Sequence, residues 1–139
     1  MSRYLDTNGV IALLTADPLT ARITALLRQN TEPLIVSDFT ATEFSAVVGR
    51  KIRTGAIIKQ HALDALAALD QWLLRVLRVE LEAGDISRAD AVLRRLDLPL
   101  MAPDAIHIAI AQRVGATLVT FDQRMASAAR TLGLAVAGA

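Results

Sequence analysis

Four acidic residues stand where apolar stretches of the sequence end or are interrupted. Asp6 follows Tyr4 and Leu5, Asp122 follows "ATLVTF", Asp104 opens "DAIHIAIA", and Glu43 lies within "TATEF". Carboxylates gathered at one place repel, since two unit charges 4 Å apart cost roughly 4 kcal/mol at an effective dielectric of 20. Such a cluster therefore persists only if the carboxyl groups retain protons or a cation is bound.

The kinds of residue present indicate which cation this would be. The chain has no cysteine and only two histidines, so carboxylate oxygens dominate the possible ligands. Oxygen ligands suit hard ions such as Mg²⁺ or Mn²⁺ better than Zn²⁺. These ions activate water and stabilise phosphoryl oxygens during in-line displacement. The acids thus predict metal-assisted chemistry on a phosphate ester.

Each acid also has a simpler structural interpretation. Asp6, Asp104 and Asp122 precede predicted helices, where a carboxylate oxygen can accept a backbone N–H of the first turn. Asp38 is interpreted as a cap alone, and Glu43 can lie on a solvated helix face. Capping and metal binding both remain open, because one oxygen can face the backbone while the other faces an ion.

The surrounding pattern predicts strands that alternate with helices. The strands are expected at 2–6, 34–38, 73–80, 116–122 and 134–137, and the helices at 8–15, 17–30, 40–53, 56–72, 85–97, 103–114 and 123–132. This alternation is typical of a mainly parallel sheet, whose ligands sit beyond the carboxyl ends of its strands. Asp6, Asp38 and Asp122 are the last residues of predicted strands, so the topology should bring them to one edge.

Length and composition indicate one globular domain spanning residues 1–139. Hydrophobic residues make up 53% and charged residues 21%, and the net charge of +1 does not by itself indicate a nucleic-acid partner. No apolar run approaches the roughly 20 residues of a membrane-spanning helix. The start "MSRYLD" lacks the apolar region of a signal peptide, so a cytoplasmic location is expected.

Four motifs, taken in order, resemble the PIN-domain nucleases and, more narrowly, the VapC toxins of bacterial toxin–antitoxin pairs. The motifs are "YLDTN", "TATEF", "APDAIHIAIA" and "LVTFDQRM", and the resemblance covers essentially the whole chain. It implies a single α/β PIN-like domain with a central, mainly parallel four- to five-stranded sheet flanked by helices. It also implies a Mg²⁺- or Mn²⁺-dependent endoribonuclease, an antitoxin partner that blocks the site, and a homodimer.

The same resemblance assigns roles to six residues. Asp6, Asp104 and Asp122 match the metal-binding aspartates, and Glu43 matches the acidic helix residue that completes the site. Asn8 and Thr120 match small polar positions that are expected to orient the carboxylates or the attacking water. Asn8 stands where serine or threonine often occurs in related chains, which is a mild departure.

Basic and apolar residues near these motifs have two interpretations each. Arg124, and the set Arg50, Lys51 and Arg53, can contact RNA phosphates, although cations are also favoured at a helix C-terminus. The apolar side chains of 56–72 can pack in the core or form a face for the antitoxin or a second copy. Aromatic residues make up only 4% of the chain, so RNA recognition is expected to rest on phosphates and shape.

The two histidines are interpreted from their neighbours in the sequence. His107 lies one turn after Asp104, between Ile106 and Ile108, where it can pack, lie at the surface or shuttle a proton. His61 is expected at the surface.

Two other functions fit part of the pattern. A PIN-fold module could bind RNA or protein without cleaving, although all four acids are present. An Asp-dependent phosphotransferase of the haloacid-dehalogenase type would need a second aspartate at the position of Asn8 and a lysine near the later acids. The only lysines are Lys51 and Lys59.

Overall fold

The structure is a computed structural model that describes residues 1–139 as five strands and seven helices. The strands are β1 (Arg3–Leu5), β2 (Leu34–Ser37), β3 (Leu77–Val79), β4 (Thr117–Thr120) and β5 (Val136–Gly138). The helices are α1 (Thr7–Leu14), α2 (Thr20–Arg28), α3 (Asp38–Arg53), α4 (Lys59–Leu73), α5 (Ala83–Leu93), α6 (Ala102–Val114) and α7 (Gln123–Thr131).

Every predicted element is present, but several boundaries were wrong: the helix expected over 56–72 begins at Lys59, and the helix expected over 85–97 ends at Leu93. The helix expected from residue 17 begins at Thr20, because the Asp17 carboxylate accepts the N–H of Leu19 at 2.8 Å in a turn that keeps Pro18 outside the helix. The strand expected over 73–80 shrinks to β3, because α4 continues to Leu73 and a turn follows in which the N–H groups of Leu74 and Arg75 bond back to α4.

All the strands are parallel, in the order β3-β2-β1-β4-β5. β1 is therefore central, and the direction of winding changes between β1 and β4. Ligands of open α/β sheets bind beyond the carboxyl ends of the strands at such a switch point. The predicted fold class, a single α/β domain with a mainly parallel sheet of four to five strands flanked by helices, is confirmed.

The three inner strands, β1, β2 and β4, are buried on both faces, and their alternate residues pack against the two helical layers. Leu5, Val36 and Val119 pack with α1 to α4 in one core. Tyr4, Ile35 and Leu118 pack with α6 and α7 in the other. This two-sided burial explains why the strands are short apolar runs rather than alternating ones. Of the seven helices, none has the combination of length and apolar composition that crossing a bilayer requires.

Candidate active site

Asp6 lies at the switch point, directly after β1, and is only 4% exposed. Its Oδ1 accepts the N–H of Gly9 at 2.8 Å and so caps α1. Its Oδ2 accepts the hydroxyl of Thr120, at the end of β4, at 2.5 Å. Thr120 thus orients this carboxylate from the neighbouring strand, while capping fixes it from its own helix. Each carboxylate oxygen keeps a further lone pair.

Asp122 lies on the other side of the switch point and caps α7. Its Oδ1 accepts the N–H groups of Arg124 at 2.9 Å and Met125 at 3.0 Å, and its Oδ2 has no donor within the chain. Its own N–H donates to Thr120 Oγ1 at 3.0 Å. One threonine hydroxyl therefore joins the two aspartates across β1 and β4.

Asp104 stabilises the start of its helix in a different way from the one expected, and Asp38 is not a helix cap. Met101 is the N-cap of α6, and its N–H donates to Asp104 Oδ2 at 3.3 Å, so Asp104 satisfies the helix start from inside the first turn. Ser37 caps α3, which makes the prediction that Asp38 is the cap wrong. Asp38 Oδ1 instead accepts the N–H of Leu81 at 2.9 Å, which ties the chain after β3 to α3.

Glu43 reaches the site from the second turn of α3. Its Oε1 accepts the hydroxyl of Thr7 at 2.6 Å and is hydrogen-bonded to Nε2 of His107. Its Oε2 has no donor within the chain, and the side chain is 24% exposed. The two donors thus hold one oxygen and leave the other facing outward.

The carboxylates sense one another electrostatically. Burial raises the pKa of Asp6, and the charge of Asp122 raises it further. Burial likewise raises the pKa of Asp104, with Asp122 and Glu43 adding to the effect. Burial alone would also raise the pKa of Glu43, but hydrogen bonds from His107 and Thr7 outweigh it and bring the pKa below its ordinary value. These contacts therefore favour the ionised form of Glu43.

Asn8 and Arg124 lie at the rim rather than among the acids. Asn8 is exposed and, with Phe121 and Asp122, lines a cleft of about 290 Å³. Arg124 is exposed on the first turn of α7, beside Asp122. Arg50, Lys51 and Arg53 lie in the last turn of α3, which is about 10–15 Å along the helix from Glu43 at 1.5 Å per residue. At that position their positive charges interact favourably with the negative end of the helix dipole.

The donor set fits a hard divalent cation. Glu43, Asp104 and Asp122 each keep one oxygen without a donor from the chain, and every candidate ligand is a carboxylate oxygen. No three acidic or histidine side chains are already grouped closely enough to enclose an ion. Mg²⁺ usually keeps several waters and takes one or two carboxylates, so these residues suit a partly hydrated ion.

Sequence reasoning left two residues of this region without a firm role. Thr7 stands between Asp6 and Asn8, and its hydroxyl contacts both Glu43 and His107. His107 is 3% exposed and hydrogen-bonded at both ring nitrogens. Its position three residues after Asp104 places it on the same side of α6, which was the only indication available from the sequence. His61 is exposed, as expected.

A parallel sheet that gathers carboxylates at its switch point defines an α/β protein with a site suited to divalent cations. A family model described as the PIN domain matches residues 3–131. Ribonuclease VapC46 of Mycobacterium tuberculosis (strain ATCC 25618 / H37Rv) is 32% identical over 136 residues, covering 96% of this chain and 94% of the relative. Ribonuclease VapC35 of the same organism is 31% identical over 139 residues, covering 96% and 93%. The chain belongs to the PIN-domain family, as its motifs indicated.

Solved structures agree in fold. The crystal structure of Mycobacterium tuberculosis VapC20, described as a sarcin–ricin loop cleaving toxin, has a TM-score of 0.74 at 20% identity and covers 91% of this chain and 94% of its own. A DNA-bound VapBC from Salmonella typhimurium also has a TM-score of 0.74, at 19% identity, and covers 98% and 96%. These likenesses extend over nearly the whole sheet and its helices.

Proposed function

We propose that this protein is a divalent-metal-dependent endoribonuclease that acts as the toxin of a toxin–antitoxin pair. The observation that carries the proposal is that Asp6 and Asp122 lie on either side of the switch point of a PIN-domain sheet, and that the charges of Asp122 and Glu43 act on Asp104. Glu43, Asp104 and Asp122 each keep an oxygen without a donor from the chain. The similarity to proteins named VapC ribonucleases supports the same function.

Asp6, Asp104 and Asp122 are the residues that would hold Mg²⁺ or Mn²⁺. The bound ion supplies a Lewis acid that stabilises charge on phosphoryl oxygens and lowers the pKa of water. Thr120 and the N–H of Gly9 keep Asp6 oriented toward the site. Glu43, ionised and with Oε2 facing outward, is the group available to accept a proton from water.

The rim residues supply contacts to the RNA backbone. Arg124 is exposed next to Asp122 and can pair with a phosphate that flanks the scissile one. Asn8, on the cleft beside it, offers an amide that can hydrogen-bond to the substrate. Binding through phosphates makes affinity fall as salt rises.

An antitoxin partner is part of the proposal, because VapBC and FitAB complexes are among the structural neighbours. A groove of about 500 Å³, lined mainly by apolar residues, runs between α1, α3 and α4 and includes Ile11, Val47 and Ala65. It is the surface we assign to an apolar segment of the antitoxin. We further propose a homodimer and a cytoplasmic location, where RNA and the antitoxin are found.

The test is cleavage of total RNA by antitoxin-free protein with Mg²⁺ or Mn²⁺, with and without chelator. Asp6→Ala and Asp104→Asn are expected to lose at least 100-fold in rate, whereas Asp90→Asn, which changes an exposed carboxylate of α5, should cleave like the wild type. Sequencing the fragment ends then identifies the target.

Two outcomes would count against the proposal. If Asp104→Asn cleaved RNA at the wild-type rate, the site assignment would fail. If well-folded wild-type protein bound RNA but produced no fragments from several RNA pools, the chain would be a non-catalytic binding module.

A further inference from the structure

The buried imidazole of His107 is fixed on every side. Its Nδ1 lies 2.7 Å from the hydroxyl of Tyr4, and its Nε2 is bonded to Glu43 Oε1 and lies 3.1 Å from Thr7 Oγ1. The ring of Phe39 packs at a centroid distance of 5.2 Å and that of Tyr4 at 5.7 Å. Burial alone requires a partner at both nitrogens, so it is the identity of the partner at Nε2, the site residue Glu43, that points to a role in the site.

The proton at Nε2 follows from its partner. An ionised carboxylate can only accept hydrogen bonds, so the nitrogen that faces Glu43 must carry the hydrogen. Thr7 donates to the same Oε1. Both donors converge on one oxygen of Glu43, and they come from α1 and α6, the helices that begin at Asp6 and next to Asp104.

Behind the ring, the contacts continue into the sheet. The oxygen of the Tyr4 hydroxyl also lies 3.0 Å from Ser37 Oγ, within hydrogen-bond distance, and Ser37 is the cap of α3, the helix that carries Glu43. Tyr4, Ser37 and His107 are all buried. The chain of contacts therefore joins β1, β2, α6 and α3 into one polar unit within an apolar core.

We propose that His107 is the positioning residue of the site: backed by Tyr4, it holds Glu43 by Oε1 and so presents Oε2 to the substrate side. The assignment rests on the proposed nuclease function. His107 does not reach solvent, and it acts on the reaction only through Glu43. Partners that orient a ligand or a catalytic carboxylate are typically worth 10–100-fold in metal affinity or activity.

The first measurement is the protonation of the ring in the wild type, and it needs no RNA. The chain has only two histidines, so long-range ¹H–¹⁵N spectra contain two imidazoles, and the exposed His61 is the reference. A proton on Nε2 of His107 at neutral pH is expected. The tautomer protonated only on Nδ1 would overturn the proposal.

The second measurement separates positioning from packing. His107→Leu keeps an apolar side chain of similar size but loses the donor, and His107→Gln keeps an N–H near the position of Nε2. On an RNA fragment that the wild type cleaves, His107→Leu should lower kcat at least 10-fold with little change in KM, and His107→Gln should restore most of it. Binding of Mn²⁺ alone, followed by calorimetry, should be nearly unchanged in His107→Leu, because Glu43 is not among the residues that would hold the ion.

Control variants distinguish the possible reasons for a negative result. His61→Leu should match the wild type, and Tyr4→Phe should fall between the wild type and His107→Leu. If His107→Leu retained the wild-type kcat, His107 would be a packing residue. If His107→Leu did not fold, the spectra, His107→Gln and Tyr4→Phe would still decide. Absence of cleavage by the wild type would reject the nuclease function, while the spectra would still test the hydrogen bond to Glu43.

Discussion

At the scale of single residues, Asp6 shows how one carboxylate can cap a helix and still serve a site. Its two oxygens face a backbone N–H of its own helix and a hydroxyl from the next strand. Those contacts remove the rotational freedom of the side chain before any ligand arrives. Preorganisation of this kind lowers the entropy lost on binding.

Gly9 allows this arrangement because it has no side chain. A Cβ at this position would lie 2.4 Å from Leu5 Cδ1 and 2.9 Å from Asp6 Oδ1. Gly9→Ala should therefore lower the free energy of unfolding by about 1–3 kcal/mol through overpacking and lower cleavage activity by displacing Asp6. Urea denaturation and a cleavage assay measure the two effects.

The matched control is Gly49→Ala, also in a helix. Its Cβ would meet only the far end of the Arg53 side chain, at 3.2 Å, and alanine favours a helix by roughly 1 kcal/mol over glycine. It should be neutral or slightly stabilising and fully active. Equal losses in both variants would show that Gly9 has no special relation to the site.

The sequence placed the aspartates correctly at the ends of strands and starts of helices, since both features depend on neighbouring residues. It did not predict the contacts of Glu43 with Thr7 and His107. These join residues from α3, α1 and α6, and no local pattern determines which side chain meets which across three helices. The role of Asp38 was mistaken for a similar reason, because its partner Leu81 is remote in the chain.

At the scale of elements, α6 carries Asp104 and is anchored to α5 by a buried ion pair. The side chain of Asp85 is 0% exposed and accepts hydrogen bonds from Arg113 at 2.9 and 3.1 Å and from Arg88 at 2.6 Å. Its Oδ2 also accepts the N–H of Glu82 at the start of α5. Burial would raise the pKa of Asp85, but these hydrogen bonds, led by Arg113, lower it overall.

Asp85→Asn should lower the free energy of unfolding by about 3 kcal/mol at pH 7, because it removes the charge-assisted hydrogen bonds of a fully buried carboxylate and leaves Arg113 without that partner. The pKa of Asp85 is lower in the folded than in the unfolded state, so its contribution is full above the ordinary value near 4. It is lost as the pH falls through the folded pKa. Urea denaturation should therefore show the difference between wild type and variant shrinking below about pH 4.

Asp90→Asn tests whether burial is the cause. Asp90 pairs with Arg94 on the same helix, but both side chains are largely exposed, and exposed pairs contribute about 0–1 kcal/mol. The free energy of unfolding of Asp90→Asn should therefore stay close to that of the wild type. A loss as large as that of Asp85→Asn would contradict the assignment.

At the scale of the whole molecule, the four acids of the site (Asp6, Glu43, Asp104 and Asp122) suit a metal ion but reduce the stability of the fold when no ion is bound. The raised pKa of Asp104 means that its ionised form destabilises the fold at pH 7. Without divalent ions and at low salt, Asp104→Asn should be at least as stable as the wild type. Mg²⁺ at 100 times its Kd should raise the free energy of unfolding of the wild type by about 2.7 kcal/mol, and its Tm accordingly. It should raise the Tm of Asp104→Asn much less.

Calorimetric melting at constant ionic strength measures both effects. Asp90→Asn should show the wild-type Mg²⁺ shift. A full shift in Asp104→Asn would exclude Asp104 as a ligand, and a less stable apo variant would mean that its hydrogen bond to Met101 outweighs the repulsion.

The central position of β1 also determines when the protein becomes active during its synthesis. Arg3 pairs with Thr117, and the hydroxyl that orients Asp6 belongs to Thr120. A growing chain on the ribosome exposes its first strand early but acquires that strand's partner only near the end, and such distant pairings form slowly. A nascent chain that has not yet reached Thr120 therefore lacks the hydroxyl that orients Asp6 and carries no assembled site.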